Sequence, residues 1–184
     1  MHRKPLLTLL DHYLERYPGE ADTTLRFADF VKQHSDCFER SLSVGHVTGS
    51  AMILDLRGER VLLTHHRKLN LWLQPGGHAD GNSDGLAVAM QECLEETGLK
   101  SLVPVSTEIF DLDVHGIPAR KDEPSHFHYD LRFLVRQTEE EEYIVSDESH
   151  DLAWVALDRL EDYTVEWSMR RMREKALRAL SSAA

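Results

Sequence analysis

Apolar residues recur at helical spacing in three parts of the chain. Between residues 5 and 17 they lie three or four positions apart after a proline, which predicts a helix that Pro18 and Gly19 end. A basic amphipathic helix is predicted over residues 167–180. Another helix is predicted over about residues 23–38, and its expected buried residues are Leu25, Phe27, Phe30, Val31 and Phe38.

Shorter apolar runs between these helices predict β-strands. In the run from 127 to 135, apolar residues alternate with a second set of side chains that includes His128, Asp130 and Arg132. Alternation of this kind places the two sets on opposite faces of a strand. The mixture of helices and strands fits an α/β fold, with helices on both faces of a mixed sheet. The predicted strands cover residues 44–55, 61–66, 71–73, 101–105, 108–115, 127–135 and 154–157.

Length and charge limit the classes of protein to which the chain can belong. With 184 residues it can form one domain with a sizeable core, here predicted over 43–184 with a helical extension over 1–42. A formal net charge of −11 argues against a polymeric nucleic acid as partner, because phosphate backbones are bound through basic surfaces. A small phosphorylated substrate remains compatible with this charge if a metal ion screens the site.

Cysteine content and hydropathy predict a cytoplasmic protein. Cys37 and Cys93 are the only cysteines, so a disulfide framework is not expected. Asp11 interrupts the first apolar run, which is atypical of a signal peptide. No apolar run approaches the roughly 20 residues that a membrane span needs, so no membrane partner is expected.

A carboxylate-rich helix is predicted near residue 92. Glu92, Glu95 and Glu96 are spaced i, i+3 and i+4, so their carboxylates share one face of the helix. A hard divalent cation would turn the repulsion among them into attraction, whereas an ordinary solvated acidic face is the alternative. Gly98 is the expected C-cap. The opposite face, expected to pack in the core, carries Leu86, Met90, Cys93 and Leu94.

A glycine-rich segment precedes this helix. Gly76 and Gly77 follow the predicted strand end at Trp72 and Leu73, and a Pro-Gly-Gly turn is predicted there. Glycine permits positive φ angles and a close approach of the backbone to another group. A strand, a glycine loop and a carboxylate helix in this order can hold a metal ion against a phosphate.

The segment Leu71–Leu99 resembles the signature box of the Nudix hydrolases. That box has a glycine, five residues, a glutamate, seven residues and then Arg-Glu-apolar-x-Glu-Glu-x-Gly-apolar. Ser83 stands at the position of the first glutamate, beside Asp84, and Gln91 stands at the position of the arginine. Seven positions match the box in register: Gly77, Glu92, Cys93, Glu95, Glu96, Gly98 and Leu99.

The resemblance implies a Nudix-type α/β/α sandwich and the hydrolysis of a phosphoanhydride bond of a nucleoside diphosphate derivative. It implies Mg²⁺ or Mn²⁺ as cofactor, and a homodimer is a further expectation drawn from it. The implied metal ligands are Glu92, Glu95, Glu96 and the carbonyl of Gly77. The general base would be Glu92 or, if it is not merely part of an exposed acidic loop, Glu148.

Other residues are candidates for substrate contact. His78 follows the two glycines directly, so it could reach a phosphate or a metal ion. Gly76 and Gly77 would contact the substrate through the backbone, and Arg67 could pair with a phosphate unless it is an ordinary solvated turn residue. The loop over residues 117–125, with Arg120 and Lys121, is a candidate specificity element.

Seven histidines lie in or near the predicted strands around the glycine loop. They could form a nitrogen-rich metal site or a phosphate-binding and acid–base set, or they could be ordinary hydrogen-bonded core and surface residues. The seven are His46, His65, His66, His78, His115, His126 and His128. The histidines also keep open a resemblance to isopentenyl-diphosphate isomerases. The departures at Ser83 and Gln91 keep open a non-catalytic module that binds a diphosphate ligand.

Overall fold

The computed structural model describes residues 2–120 and 124–182, so Lys121 lies outside the described residues. Within them the chain forms four α-helices and eight β-strands, with short 3₁₀-helices at Pro18–Glu20 and Leu157–Asp162. The helices are α1 (Lys4–Arg16), α2 (Ala21–Gln33), α3 (Gly85–Thr97) and α4 (Trp167–Ser182). The strands are β1 (Gly45–Leu54), β2 (Arg60–His66), β3 (Leu71–Leu73), β4 (Gly76–His78), β5 (Leu102–Pro104), β6 (Asp111–Ile117), β7 (His126–Gln137) and β8 (Ser149–Ala156).

Strand β1 is the centre of a mixed sheet. All ten of its residues are buried. It pairs in parallel with β7 along its whole length, and its other edge is shared by β2 and β4, which are both antiparallel to it. Strands β5 and β6 extend the sheet beyond β7, and β3 and β8 extend it beyond β2.

Helices cover both faces of this sheet. On one face, Ala51 and Leu131 belong to a core that includes residues of α1, α2 and α3. On the other face, Met52 and Leu134 pack in a second core with Met172 of α4. Alternate residues of each strand therefore enter different cores, because successive side chains point to opposite faces. This arrangement is the predicted α/β/α sandwich with a mixed sheet.

The N-terminal helices share the first of these cores with the sheet. Tyr13 of α1 and Phe27 of α2 have no exposed surface. The ring of Phe30 stacks on the ring of Tyr129 in β7, with 3.7 Å between their centroids. The predicted division into an extension over 1–42 and a domain over 43–184 stays a prediction, and these contacts join the two parts.

Two details of the predicted helix over residues 23–38 are wrong. Helix α2 ends at Gln33, because His34 has an extended backbone conformation. Phe38 is buried beyond the end of the helix, and Leu25 is 50% exposed because its position faces solvent rather than the sheet.

No helix in the described part of the chain combines the length and the apolar character needed to cross a bilayer.

A buried carboxylate at the start of β6 joins distant parts of the chain. Asp111 has no exposed surface. Its oxygens accept hydrogen bonds from Arg171 at 2.8 and 2.7 Å, from Lys175 at 2.7 Å and from Arg132 at 3.3 Å. Arg171 and Lys175 lie on α4 and Arg132 on β7, so one carboxylate connects the C-terminal helix to the sheet.

The same cluster reaches the N-terminal helices through Lys175. Its ammonium donates to the hydroxyl of Tyr13 at 2.5 Å and pairs with Glu20 at 2.7 Å. The Tyr13 hydroxyl in turn donates to Glu20 at 2.7 Å. The N-terminal helices, β6, β7 and α4 are therefore held together by one ionic cluster.

The substitution Asp111→Asn should lower the free energy of unfolding by about 3–5 kcal/mol, because it removes one partner from a buried ionic cluster. Urea unfolding followed by circular dichroism measures the change. Asp29→Asn is the control, since Asp29 forms only an exposed pair with Lys32 on α2. Equal stability of the Asp111 variant and wild type would show that the cluster does not hold these elements together.

Candidate active site

Helix α3 is fixed at both ends and lies close to the sheet. The carboxylate of Asp84 accepts a hydrogen bond from the amide of Ala87 at 3.1 Å, and Gly98 ends the helix with a φ of 72°. The predicted C-cap at Gly98 is confirmed. Gly49 of β1 lets the helix approach, because a Cβ at this position would lie 2.8 Å from the carbonyl oxygen of Gly85.

The glycine segment forms strand β4, not the predicted turn. Neither Gly76 nor Gly77 has a positive φ. Both positions require glycine because of space. A Cβ on Gly76 would lie 2.2 Å from the Cβ of Ser50, and one on Gly77 would lie 2.3 Å from a carboxylate oxygen of Glu92. Strand β4 pairs with β1, so the carboxylate helix rests on the centre of the sheet.

Two carboxylates of α3 meet this strand. Glu96 is buried and accepts a hydrogen bond from the amide of Gly76 at 2.8 Å. Glu92 is half-buried against Gly77. The helix therefore presents Glu96, and not the predicted Leu94, to the interior, and Leu94 is 40% exposed.

Burial and neighbouring negative charges raise the pKa values of both carboxylates. Burial is the largest cause for Glu92, followed by repulsion from Glu95 and Glu148, and its pKa rises to about 7. Burial also raises the pKa of Glu96 to about 7, with repulsion from Glu92 and Glu148 added. A divalent cation beside these groups would offset both causes.

Glu95 lies on the exposed side of the same helix. The side-chain amide of Gln91 donates a hydrogen bond to its carboxylate, one turn along α3. Gln91 stands where the signature box has an arginine, so a hydrogen bond from an uncharged amide replaces the ion pair that an arginine could form with the glutamate.

Glu148 lies just before β8, in an exposed segment. Its negative charge helps to raise the pKa values of Glu92 and Glu96, so this predicted residue lies near the carboxylate site. Arg67 holds the segment in place: its amide donates to the carbonyl of Glu148 and its guanidinium to the carbonyl of Ser149, both at 2.9 Å. The guanidinium thus has a structural partner next to the site.

Five of the seven candidate histidines form one cluster on the face of the sheet opposite α3. Neighbouring ring centroids lie between 4.9 and 5.5 Å apart. His65 lies elsewhere, stacked on Trp72 at 4.8 Å. The members of the cluster are His46, His78, His115, His126 and His128.

Three histidines of this cluster bring their possible ligand atoms close together. Among the described residues, the only three histidine, cysteine or carboxylate side chains with ligand atoms all within 4.8 Å of one another are His46, His78 and His128. Burial and nearby histidines lower the pKa of His46 to about 4, so its ring is neutral at neutral pH. These histidines come together because of the way the strands pair. The sequence alone does not predict this pairing, since alternation indicates a shared face but not which strands are neighbours.

Comparison with known proteins agrees with the geometry. The NUDIX domain model matches residues 46–176. The m7GpppN-mRNA hydrolase NUDT17 of Xenopus laevis is 32% identical over 122 residues, which are 60% of this chain and 40% of that protein. This chain thus spans less than half the length of that relative.

Solved structures share the fold. An Ap4A hydrolase of C. elegans, solved as a binary complex, has a TM-score of 0.62 and 18% identity, over 74% of this chain and 98% of that one. The E. coli dihydroneopterin triphosphate pyrophosphohydrolase has a TM-score of 0.56 and 17% identity, over 70% and 92% of the two chains. The match of the domain model to most of the chain, together with the fold and the signature residues, shows that the chain belongs to the Nudix hydrolase family.

Proposed function

We propose that this protein is a divalent-metal-dependent hydrolase that cleaves a phosphoanhydride bond of a nucleoside diphosphate derivative or a related small diphosphate. One observation carries the proposal: the carboxylates of Glu92 and Glu96 rest on two glycines that have no space for a side chain. Family membership supports hydrolysis. Two of the similar proteins are named as hydrolases of m7GpppN-mRNA and of Ap4A.

The donor set fits Mg²⁺ or Mn²⁺. Carboxylate and carbonyl oxygens are the ligands that hard divalent cations prefer. Glu92, Glu95, Glu96 and the carbonyl of Gly77 would hold the ion. Burial first, and then repulsion between neighbouring carboxylates, raise the pKa values of Glu92 and Glu96, and a bound cation would offset both causes.

If Glu92, Glu95 and Glu96 hold Mg²⁺ or Mn²⁺, the ion would supply the charge that polarises a phosphoryl oxygen and lowers the pKa of a water molecule. The glycines of β4 let a diphosphate lie close to the backbone. Glu92 or Glu148 takes the proton from the attacking water as general base, a role that their position at one site supports. Gln91 orients Glu95 through its hydrogen bond. Arg67 is the candidate contact to the substrate phosphates. His78 stays a prediction in this role, since it lies on the face of the sheet opposite α3.

Charge and cysteine content support a small substrate and a cytoplasmic location. A net charge of −11 favours a small phosphorylated molecule over a nucleic acid polymer. Both cysteines are free and buried, which fits a reducing compartment. A homodimer stays a prediction. The specificity loop over 117–125 also stays a prediction, and its residues 121–123 lie outside the described residues.

The histidine cluster is the observation that favours a second candidate, an isopentenyl-diphosphate-isomerase-like enzyme. Cys37 and Cys93 argue against it, because both thiols are buried in the core and burial raises their pKa values. An isomerase leaves the phosphoanhydride bond intact, so the products separate the two candidates. A non-catalytic module would bind a diphosphate without turning it over.

The substitution Glu95→Gln should lower kcat by more than about 100-fold. Loss of a residue that only orients a metal ligand lowers activity by about 10- to 100-fold, and loss of a ligand itself should lower it at least as much. The assay uses ADP-ribose, UDP-glucose and diadenosine tetraphosphate with Mg²⁺ or Mn²⁺, and measures the phosphate or nucleoside monophosphate formed. Thermal unfolding should change little, since Glu95 is exposed.

Glu15→Gln is the matched control for this substitution, because Glu15 is an exposed glutamate on α1. It should keep wild-type kcat. Full activity of the Glu95 variant would mean that α3 is not the metal site. Tight binding of a panel member by wild type without any turnover would instead favour the non-catalytic module.

The substitution Gly77→Ala should weaken Mn²⁺ binding by about tenfold or more, because the new methyl group would displace the carboxylate of Glu92. Electron paramagnetic resonance of Mn²⁺ measures the affinity. The control is Gly19→Ala, since a Cβ on Gly19 meets nothing within 4 Å. Unchanged Mn²⁺ affinity in a folded Gly77 variant would show that the contact between Gly77 and Glu92 is not part of the metal site.

A further inference from the structure

Strand pairing brings three histidines to one point of the sheet. His46 of β1 lies beside His128 in the parallel β1–β7 ladder. Two residues further along β1, Thr48 lies opposite His78 in the antiparallel β1–β4 ladder. Side chains two apart on a strand share a face, so all three imidazoles lie on the same side of the sheet.

Two of these histidines have buried ring nitrogens that no hydrogen bond of ordinary geometry reaches. His46 is 2% exposed. Among the described residues, both nitrogens of His46 and the Nε2 atom of His128 lack such a bond, although a backbone interaction with Leu42 acts to raise the pKa of His46. Buried polar atoms without a partner are unfavourable, so such groups are rare unless they serve another purpose. A metal ion would accept the lone pair of one nitrogen on each ring, which leaves the other nitrogen of His46 as an N–H donor.

We propose that His46, His78 and His128 form a second metal site, which binds Zn²⁺ or a similar nitrogen-preferring transition-metal ion. Their ligand atoms already lie within 4.8 Å of one another. Tetrahedral Zn²⁺ with Zn–N bonds of about 2.0–2.1 Å brings its ligand atoms to about 3.4 Å apart, so small ring rotations close the site. Mg²⁺ and Ca²⁺ prefer oxygen ligands and would not compete.

Two further histidines beside the three proposed ligands have Nδ1 atoms within hydrogen-bonding distance of oxygen atoms. The Nδ1 atom of His126 donates to the carbonyl of Pro124 at 2.9 Å, which leaves its Nε2 lone pair available near the centre. The Nδ1 atom of His115 lies 3.1 Å from the carboxylate of Asp113. Three protein nitrogens leave a fourth position, which water or His126 can fill.

The site would fix the strand that carries the carboxylate contact. His78 follows Gly77 directly, and alternation along β4 turns the two positions to opposite faces. A metal ion at the histidines would join β1, β4 and β7 behind Gly77. The proposal does not depend on hydrolase activity, because its ligands differ in identity and face from the glutamates of α3.

The test begins with the 184-residue chain, stripped of metal by a chelator and then titrated with Zn²⁺ or Co²⁺ in excess Mg²⁺. Wild type should bind one equivalent of Zn²⁺, and the Co²⁺ form should show the visible absorption of a four-coordinate ion. His46→Gln and His128→Gln should each weaken Zn²⁺ binding by more than about 100-fold. His12→Gln is the control, since His12 is an exposed histidine on α1 that pairs with Glu108.

Two further measurements keep the test decisive. Glu95→Gln should retain the Zn²⁺ equivalent, and loss of that equivalent would place the ion at the glutamates and overturn the proposal. Nitrogen-15 NMR spectra of the imidazoles are recorded on the wild-type protein, so this measurement does not depend on the folding of any variant. Addition of Zn²⁺ should shift the signals of the cluster but leave His2, His12, His34, His65, His66 and His150 unchanged. Unshifted cluster signals would overturn the proposal.

Discussion

The contact between Gly77 and Glu92 is the constraint on which the candidate active site depends. Strand β4 lies so close to α3 that a methyl group on Gly77 would overlap the carboxylate. One residue earlier, Gly76 uses its amide to hold Glu96. The strand therefore gives two acidic side chains a fixed position against a backbone that a diphosphate could also approach.

That contact depends on packing around it and on contacts elsewhere in the fold. Gly49 allows α3 to lie directly on β1, and the cap at Asp84 sets where the helix begins. On the face of the sheet that α4 covers, the ionic cluster around Asp111 joins α4 to β6 and β7. Burying like charges at Glu92 and Glu96 is unfavourable without a cation, so the rest of the fold must supply the rigidity that keeps them together.

The spacing of apolar and acidic residues along the sequence predicts much of this arrangement. The spacing of Glu92, Glu95 and Glu96, the cap at Gly98 and the strand alternation near His128 all follow from a period of 3.6 or 2 residues. The prediction that Leu94 is buried is wrong, because contacts with the sheet decide which face of the helix is buried, and here that face carries Glu96. The prediction of a turn at Gly76 and Gly77 is also wrong, because a close approach to distant residues is what requires glycine there.

Contacts between distant segments could not be predicted from one sequence. His46 and His128 become neighbours only because β1 and β7 pair in parallel with this register. The partners of Asp111 likewise come from elements 21, 60 and 64 residues away. The sequence predicts the carboxylates of α3 as a candidate metal site and offers seven histidines as possible ligands of a second one, but only the structure shows which histidines are neighbours.

Hydrolysis in water enriched in oxygen-18 tests the central claim most directly. ADP-ribose, UDP-glucose and diadenosine tetraphosphate are incubated with the protein and Mn²⁺, and phosphorus-31 spectra of the products are recorded. Attack by water at a phosphoanhydride predicts that one phosphoryl product carries a single oxygen-18 atom. Products without the label, or intact substrates throughout the panel, would contradict the claim that the carboxylate helix supports phosphoanhydride hydrolysis.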